Sequence, residues 1–335
     1  MNRYIRTQRV TPAGPDFDRV FSELQVLLVG LGGTGTPIAQ ALVRGGVGEL
    51  TMLDPDSISE ADLPRQILYY PEDVEQNLSK SAVAQRELSR IGGRTRINAH
   101  SESLNPGNAL RWIEAADVVI DATDHLAARG WINEACRTSG RPWIHTAAIE
   151  DLAIVLPFWN VGSPCFRCYI PEDPPLSAIG TCESKGVFPA TTQLAAALAV
   201  ATLHRWICAP NDAEGSDVLL TRARLGDSTP KVSTLTSDPA CPVCAPGSSS
   251  LRNSGQFRAV CGQSRLEGWT ERSPETLASR LLGRNEGWEV QVERSITRAR
   301  LGEESLVVFP DGRVIYGPLS ELCTSEDRLQ SLIFE

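Results

Sequence analysis

The sequence has no apolar run that approaches the ~18 residues a membrane-spanning helix needs, and its N-terminus, MNRYIRTQRV, lacks the apolar core of a secretory signal. Histidine is scarce, and none of the four histidines stands at metal-ligand spacing. Internal repeats and low-complexity tracts are also missing. The net charge of −9 argues against general binding to nucleic acids or anionic membranes. We therefore expect a cytoplasmic protein with no membrane or nucleic-acid partner.

The pattern of the chain changes near residue 245. Up to that point, short apolar strands alternate with helical runs, which is typical of a mostly parallel, doubly wound α/β sheet with helices on both faces. The stretch APGSSSLRNSG then has the composition of a linker. Beyond it, PETLASRLL predicts a helix and LVVFPDGRVIYG predicts a hairpin. The predicted parts are an N-terminal arm at 1–24, an α/β domain at 25–246, a linker at 247–255 and a small α+β module at 256–335.

A glycine-rich loop follows the first predicted strand in VLLVGLGGTGTPIAQAL. It matches G-x-G-x-x-G through Gly30, Gly32 and Gly35. Glycines let backbone N–H groups approach a phosphate, and the helix N-terminus beyond the loop adds partial positive charge. Asp54 ends the second predicted strand, where a ribose-binding acid is expected. The pattern favours a nucleotide site over a merely tight turn, but leaves open which nucleotide binds.

Charged and polar residues crowd the segment LDPDSISEADLPRQ after that strand. They are Asp54, Asp56, Asp62, Arg65 and Gln66, with Lys80 at the start of the next predicted helix. An NAD enzyme has no general need for an arginine and a lysine here, whereas ATP brings more phosphate charge to neutralise. If a carboxylate attacks the α-phosphate, Arg, Lys and Mg²⁺ would stabilise the developing charge. The alternative interpretation is a solvated charged loop before an ordinary helix.

Two further aspartates, Asp121 and Asp124, end another apolar strand in DVVIDATDH. Ligands bind at the carboxyl edge of the strands in open α/β sheets. Either carboxylate could hold Mg²⁺ or orient a reacting carboxyl group, and Asp121 could instead cap the following helix. We select Asp124 as the magnesium ligand because its position is the more exposed. His125 is expected to line the pocket, and His145 to be structural.

Four of the nine cysteines form two C-x-x-C pairs, Cys165/Cys168 and Cys241/Cys244. Brought together, four thiolates make a tetrahedral zinc site with no open position, and such a site is structural. Unrelated redox motifs or free thiols are the alternative. Cys182 lies outside both pairs, in IGTCESKGVF. It is a candidate nucleophile or sulfur-transfer residue if its surroundings lower the thiol pKa.

Taken in order from about Arg3 to Cys244, these motifs resemble the ThiF/MoeB/HesA family of E1-like adenylyltransferases, which activate ubiquitin-like sulfur-carrier proteins. The motifs that carry the resemblance are RYIRTQ, GLGGTG, LDPDSISEADLPRQ, the Lys80 helix, DATD, both C-x-x-C pairs and TCESKGV. This ordered set is much more specific than a lone glycine motif. It implies a Rossmann-like E1 fold, a homodimer, ATP and Mg²⁺ as cofactors, and a structural Zn²⁺.

The resemblance also implies roles for individual residues. The ATP phosphates would lie on the glycine loop, and Asp54, supported by Asp56, would bind the ribose. Asp124 would hold Mg²⁺, and Arg6 would reach the active site of the dimer partner. Cys182 would take part in thioester or acyl-disulfide chemistry, as its counterpart does in some members. The implied phosphate-binding residues are Gly30, Gly32, Gly33, Gly35, Arg65, Gln66 and Lys80. Asp62 is expected to belong to the nucleotide-binding residues as well.

One residue of the nucleotide site departs from the family pattern. DLPRQ stands where NL-x-RQ is usual, so that Asp62 replaces an asparagine. An aspartate adds negative charge beside ATP, and we expect weakened catalysis or altered metal binding.

The implied reaction is adenylation of the Gly-Gly C-terminal carboxylate of a small sulfur-carrier protein, giving an acyl-adenylate and pyrophosphate. Sulfur would then come from a separate donor, because no rhodanese-like domain follows. One alternative is adenylation of a ribosomal peptide or a small carboxylic acid in natural-product biosynthesis. A second is an ATP-binding scaffold that has lost catalysis. A third is an NAD- or FAD-dependent oxidoreductase, although nothing resembles a hydride-transfer site.

Overall fold

The computed structural model describes most of the chain. The described residues are 3–10, 15–159, 164–171, 185–208, 218–245, 257–259, 266–270, 272–284, 286–293, 296–309, 313–317, 328–329 and 331–333. The chain divides into two compact units, Met1–Arg252 and Asn253–Glu335. Within the described residues, no helix is both long and apolar enough to cross a membrane.

The first unit alternates strands and helices as the sequence predicts. Its strands are β1 (Gln25–Val29), β2 (Glu49–Leu53), β3 (Arg96–His100), β4 (Val118–Asp121), β5 (Trp143–Ile149), β6 (Leu152–Phe158), β7 (Val218–Arg224) and β8 (Lys231–Leu235). Its helices are α1 (Ile5–Val10), α2 (Pro15–Glu23), α3 (Gly35–Gly45), α4 (Pro71–Glu75), α5 (Lys80–Ile91), α6 (Ala109–Glu114), α7 (Leu126–Ser139), α8 (Phe166–Tyr169) and α9 (Pro189–Cys208).

The eight strands form one sheet in the order β3-β2-β1-β4-β5-β6-β7-β8. Strands β1 to β5 pair in parallel, and β6, β7 and β8 extend the sheet in antiparallel fashion. The predicted mostly parallel α/β fold is thus confirmed. Because β2 and β4 flank β1 on opposite sides, the strand order reverses between β1 and β4. In open α/β sheets, ligands bind outside the carboxyl ends of the strands at such a switch point.

Helices cover the central strands, which is why those strands are apolar along most of their length. Val26–Val29 in β1 and all four residues of β4 are buried. Helix α3 contributes Ile38 and Leu42 to the same core. The alanine-rich helix α9 packs against α3, β5 and β6. The small buried residues of α9, among them Ala195, Ala196 and Ala199, allow close approach to the sheet.

Aromatic side chains hold the N-terminal segment against the rest of the first unit. Phe17 and Phe21 of α2 stack on each other and belong to the main hydrophobic core. The Tyr4 ring is buried, and the guanidinium of Arg94 lies 4.3 Å above its centre. Arg94 also pairs with Asp18 of α2. The exposed face of α1 carries Arg6.

In its described residues, the second unit is a six-stranded antiparallel sheet with one long helix. The strands are β9 (Phe257–Ala259), β10 (Leu266–Trp269), β11 (Glu289–Glu293), β12 (Ile296–Leu301), β13 (Glu304–Val308) and β14 (Arg313–Gly317), in the order β11-β12-β13-β14-β10-β9. The predicted helix is α10 (Pro274–Gly283), and the predicted hairpin is β13–β14. The sequence did not reveal β9 to β12, which are short and rich in charged residues.

The glycine loop between β1 and α3 brings backbone segments very close together. Gly30 has a φ of +94°, and a Cβ there would lie 2.7 Å from the carbonyl oxygen of Ala122. A Cβ on Gly35 would lie only 2.0 Å from the carbonyl oxygen of Gly30. At Gly32, the nearest atom to such a Cβ is Gln66 Nε2 at 3.9 Å. Packing therefore requires glycine at positions 30 and 35, whereas Gly32 is not required by contacts within the protein.

We expect Gly35→Ala to lower the free energy of unfolding of the first unit by about 3 kcal/mol, because its methyl group must displace backbone rather than a side-chain tip. Gly32→Ala is the matched control and should change stability by less than about 1 kcal/mol, since no atom within 3.4 Å opposes it. Urea unfolding of both variants measures the difference. Equal stabilities of the two variants would contradict this account of the loop.

Candidate active site

Asp54, directly after β2, connects the glycine loop after β1 with the loop that follows β2. Its buried carboxylate accepts hydrogen bonds from the backbone N–H of Leu31 in the glycine loop (2.7 Å) and of Asp56 (2.9 Å). Burial raises the pKa of Asp54 to about 6, although the positive charge of Lys80 opposes this increase. The Tyr69 hydroxyl donates to the carbonyl oxygen of Leu31 (2.8 Å) and so helps to fix the glycine loop.

Asp62 lies at the centre of the charged segment that the sequence singled out. One carboxylate oxygen accepts from the backbone N–H and the hydroxyl of Ser59, at 3.0 and 2.7 Å. The other accepts from Gln66 Nε2 at 2.6 Å and from the Arg65 guanidinium at 3.2 Å. Asp62 and Gln66 are both buried. The structure thus brings Asp62, Arg65 and Gln66 together within one hydrogen-bonded cluster.

Lys80 extends into the same cluster from the first turn of α5. Ser79 caps this helix, since its hydroxyl accepts from the N–H of Ala82. The Lys80 ammonium lies 3.0 Å from an Asp56 carboxylate oxygen and 4.0 Å from one of Asp62. Burial lowers the pKa of Lys80, but Asp54, Asp56 and Asp62 raise it by more. The lysine is therefore charged at neutral pH while only 8% exposed.

The loop after β4 separates the two aspartates of DATD. Asp121 is fully buried, and its carboxylate accepts from the backbone N–H and hydroxyl of Thr123 and lies 2.7 Å from His145 Nδ1. Asp121 therefore fixes the loop before α7 and does not cap that helix. The Asp124 side chain is 63% exposed. His125 and Arg129 lower its pKa more than desolvation raises it, so Asp124 is ionised at neutral pH.

Three residues of this site were missed or assigned no role by sequence reasoning. Ser59 begins the turn Glu60–Asp62 in a capping box, and the S-x-x-D spacing of SEAD could have revealed it. Tyr69 gave no signal in its apolar context. His145 was expected to be structural, and its buried ring holds Asp121 in place. Burial lowers the pKa of His145, so the neutral imidazole donates its Nδ1 proton to the carboxylate.

The four cysteines of the C-x-x-C pairs form one cluster. All four Sγ atoms lie within 4.8 Å of one another, with Cys165–Cys241 at 3.6 Å and Cys168–Cys244 at 3.3 Å. A tetrahedral zinc with Zn–S bonds of about 2.3 Å would separate its sulfur ligands by about 3.8 Å. The cluster therefore has the ligand type, ligand number and spacing to hold a metal ion.

Two of the residues predicted for the site are not brought into it by the described structure. Cys182 lies outside the described residues. Arg6 is described, but it is exposed on α1. Gly33 lies beside the charged cluster, since a Cβ there would be 3.2 Å from Arg65 Cγ and 3.0 Å from Thr192 of α9.

The raised pKa of Asp54 predicts a pH-dependent loss of stability. A carboxyl whose pKa is about 6 when folded and 3.8 when unfolded binds its proton more tightly in the folded state. Its contribution to stability is therefore lost as the pH rises, by about 1 kcal/mol between pH 5 and 7. We expect the free energy of unfolding of Asp54→Asn, relative to that of the wild type, to rise by about 1 kcal/mol between pH 5 and pH 7. Urea unfolding at both pH values measures this difference. Glu72→Gln, an exposed control, should show no such gain, and an equal gain in both variants would contradict the assignment.

Comparison with known proteins places this arrangement in a family. Residues 4–243 match the model of the ThiF family. The chain is 30% identical to the sulfur carrier protein adenylyltransferase of Thermus thermophilus, over 78% of this chain and 97% of that protein. It is 27% identical to the sulfur carrier protein ThiS adenylyltransferase of Bacillus subtilis, over 93% of this chain and 94% of that protein.

The fold is also similar to that of solved structures. Escherichia coli MccB crystallised with ATP aligns with a TM-score of 0.62 and 23% identity, covering 73% of this chain and 74% of MccB. At this level of identity, the likeness concerns the fold. The sequence match over most of the first unit carries the assignment, and the chain belongs to the ThiF family.

Proposed function

We propose that the protein is an ATP- and Mg²⁺-dependent adenylyltransferase that acts on the C-terminal carboxylate of a small ubiquitin-like sulfur-carrier protein. The observation that carries the proposal is the meeting of Arg65, Gln66 and Lys80 around Asp62, beside the glycine loop. Two cations and an amide at a switch point suit a triphosphate better than the pyrophosphate of NAD. Two relatives named for this activity match nearly their whole length.

In the proposed reaction, the carboxylate oxygen of the carrier attacks the α-phosphorus of ATP. The bond between Pα and the bridging oxygen to Pβ breaks, and pyrophosphate leaves with the electron pair. The backbone N–H groups of the loop at Gly30, Gly32, Gly33 and Gly35 would bind phosphate oxygens. Asp54 would bind the ribose, with Asp56 beside it. Arg65, Gln66 and Lys80 would contact the triphosphate, and their fixed charges would stabilise the transition state.

Asp124 is the proposed magnesium ligand. It is ionised and largely exposed at the carboxyl edge of β4, and carboxylate oxygens are ligands that Mg²⁺ prefers. When bound there, Mg²⁺ would neutralise phosphate charge and polarise the phosphoryl group. Arg129, which donates to the carbonyl oxygen of Thr123, keeps the Asp124 loop in place.

Later steps of the proposed function involve a partner subunit and a sulfur donor. Arg6 is exposed on α1 and thus available to reach the site of a second copy in a homodimer. The acyl-adenylate would then accept sulfur from a separate donor with release of AMP, and Cys182 remains the predicted residue for this transfer. The four-cysteine cluster is proposed to hold a structural zinc, since all of its thiolates would be ligands and none would remain for substrate.

The decisive experiment is ATP–pyrophosphate exchange with a Gly-Gly-ending carrier encoded near this protein. We expect exchange that requires Mg²⁺ and the intact carrier tail, and loss of exchange when the two terminal glycines are removed. Lys80→Ala should lower the exchange rate at least ~100-fold because it removes a fixed charge beside the triphosphate. Lys231→Ala, an exposed control, should be unaffected.

Other outcomes of the exchange assay would replace the proposal. Exchange with peptides or small carboxylic acids, but not with carriers, would move the substrate to the natural-product class. Nucleotide binding without exchange with any acceptor would indicate a scaffold protein. Full activity of Lys80→Ala would overturn the role given to that side chain.

Metal analysis tests the cysteine cluster. We expect about one zinc per chain in protein purified without chelator, and loss of that zinc in Cys165→Ser and Cys244→Ser, because each variant leaves only three thiolates. Cys208→Ser lies outside the cluster and should retain the metal. Wild-type protein without bound metal would contradict the structural-zinc proposal.

A further inference from the structure

We propose, on the basis of the function proposed above, that Asp62 is a positioning residue for the triphosphate-binding side chains. Its carboxylate holds the Arg65 guanidinium in place and sets the orientation of the Gln66 amide before the nucleotide arrives. Asp62 thereby acts through Arg65 and Gln66 and does not itself contact ATP. The sequence suggested that its negative charge would impair the site, and the geometry points to the opposite role.

The hydrogen bonds of Asp62 require an ionised carboxylate. Four donors converge on its two oxygens: the N–H and hydroxyl of Ser59 on one, and the side chains of Arg65 and Gln66 on the other. All four are donors, and only a carboxylate accepts at both oxygens. An asparagine of the same shape would present one NH₂ group to a donor.

Holding Arg65 and Lys80 does not prevent these side chains from binding phosphate. A guanidinium has five N–H donors, and the described contacts of Arg65 are to Asp62 and the carbonyl oxygen of Ala61. The Lys80 ammonium has three donors, of which the hydrogen bond to Asp56 uses one. Donors therefore remain for the nucleotide while Asp62 keeps its partners. An arginine fixed before the reaction costs no reorganisation in the transition state.

The Gln66 amide shows that Asp62 determines its orientation. Gln66 Nε2 lies 2.6 Å from the carboxylate, and this forces the other end of the amide, Oε1, away from Asp62. Oε1 is buried without a hydrogen-bond partner among the described residues. A buried glutamine amide usually adopts the orientation in which its carbonyl oxygen has a hydrogen-bond donor. The hydrogen bond from Nε2 to the Asp62 carboxylate therefore determines the amide orientation, although it leaves Oε1 unpaired among the described residues.

Replacement of Asp62 by asparagine should reverse this arrangement. The backbone N–H of Ser59 cannot turn away, so the Asn oxygen must face Ser59 and its NH₂ group must face Gln66. The Gln66 amide would then rotate to present Oε1, and Arg65 would lose its anionic partner. The variant also removes one negative charge beside the triphosphate, so ATP binding should not weaken.

The first test compares kcat and KM for ATP in Asp62→Asn and the wild type, with Mg·ATP binding measured separately by calorimetry. We expect kcat to fall about 10- to 100-fold because Arg65 is no longer held, while KM and the Kd for ATP stay within about twofold or decrease. An unchanged kcat would overturn the proposal, even if the KM for ATP rose more than tenfold.

The second test introduces Gln66→Glu in two backgrounds. In the wild type it places two carboxylates at hydrogen-bond distance, and we expect the melting temperature to fall by about 4 °C or more. In Asp62→Asn, the same change supplies an acceptor for the Asn NH₂ group and an anion for Arg65. It should raise the melting temperature and recover at least a third of the lost kcat.

The two tests separate this proposal from the proposed function. If the wild-type protein fails to exchange pyrophosphate with every acceptor tested, the proposed function is refuted. The melting temperatures would then decide the role of Asp62 by themselves. A Gln66→Glu effect with the same sign in both backgrounds would overturn the positioning role. Leu63→Ala, a half-buried neighbour in the same loop, serves as a control for general destabilisation: it should lower the melting temperature without the kcat-against-KM split.

Discussion

The arrangement of the site depends on the buried carboxylate of Asp54. Its two oxygens bind the N–H of Leu31 and of Asp56, so one side chain joins the loop after β1 to the loop after β2. The negative charge of Asp54 raises the pKa of the buried Lys80, which desolvation lowers. Burial opposes ionisation of Asp54, while Lys80 and the two backbone N–H groups favour it. One group thereby links the glycine loop to the start of the charged segment.

A second buried carboxylate, Asp121, has a parallel function at the end of β4. It binds Thr123 through two hydrogen bonds and receives a third from His145 in β5. The His145 ring packs edge-on against Phe166, which lies between the first two cysteines of the cluster. A continuous series of contacts thus leads from the cysteine cluster to the loop that presents Asp124. Buried acids thus hold the loops in place at both strand ends.

The sequence predicted the architecture well wherever apolar periodicity and glycine spacing determined it, as in β1 and α3. It also predicted which polar residues border the switch point, because strand ends place them there. Hydrogen-bond partners could not be predicted, since they depend on side-chain contacts between distant segments. Asp62 is the clearest case: read as a lone extra charge, it proves to be a shared acceptor for Arg65 and Gln66. Strands β9 to β12 were not predicted because they are short and contain few large apolar residues, so their alternation of apolar and polar side chains is weak.

The spacing of the cysteines has a further consequence for chain entropy. A metal held by all four thiolates would close a loop of 72 residues between Cys168 and Cys241. In the chain-entropy model, closure of such a loop restricts the unfolded chain by about 4 kcal/mol at 25 °C. That loop contains α9, β7 and β8, the helix against the core and the outermost antiparallel strands. Metal binding would therefore hold the two ends of this segment together, so that α9, β7 and β8 could unfold only as a closed loop while the metal stays bound.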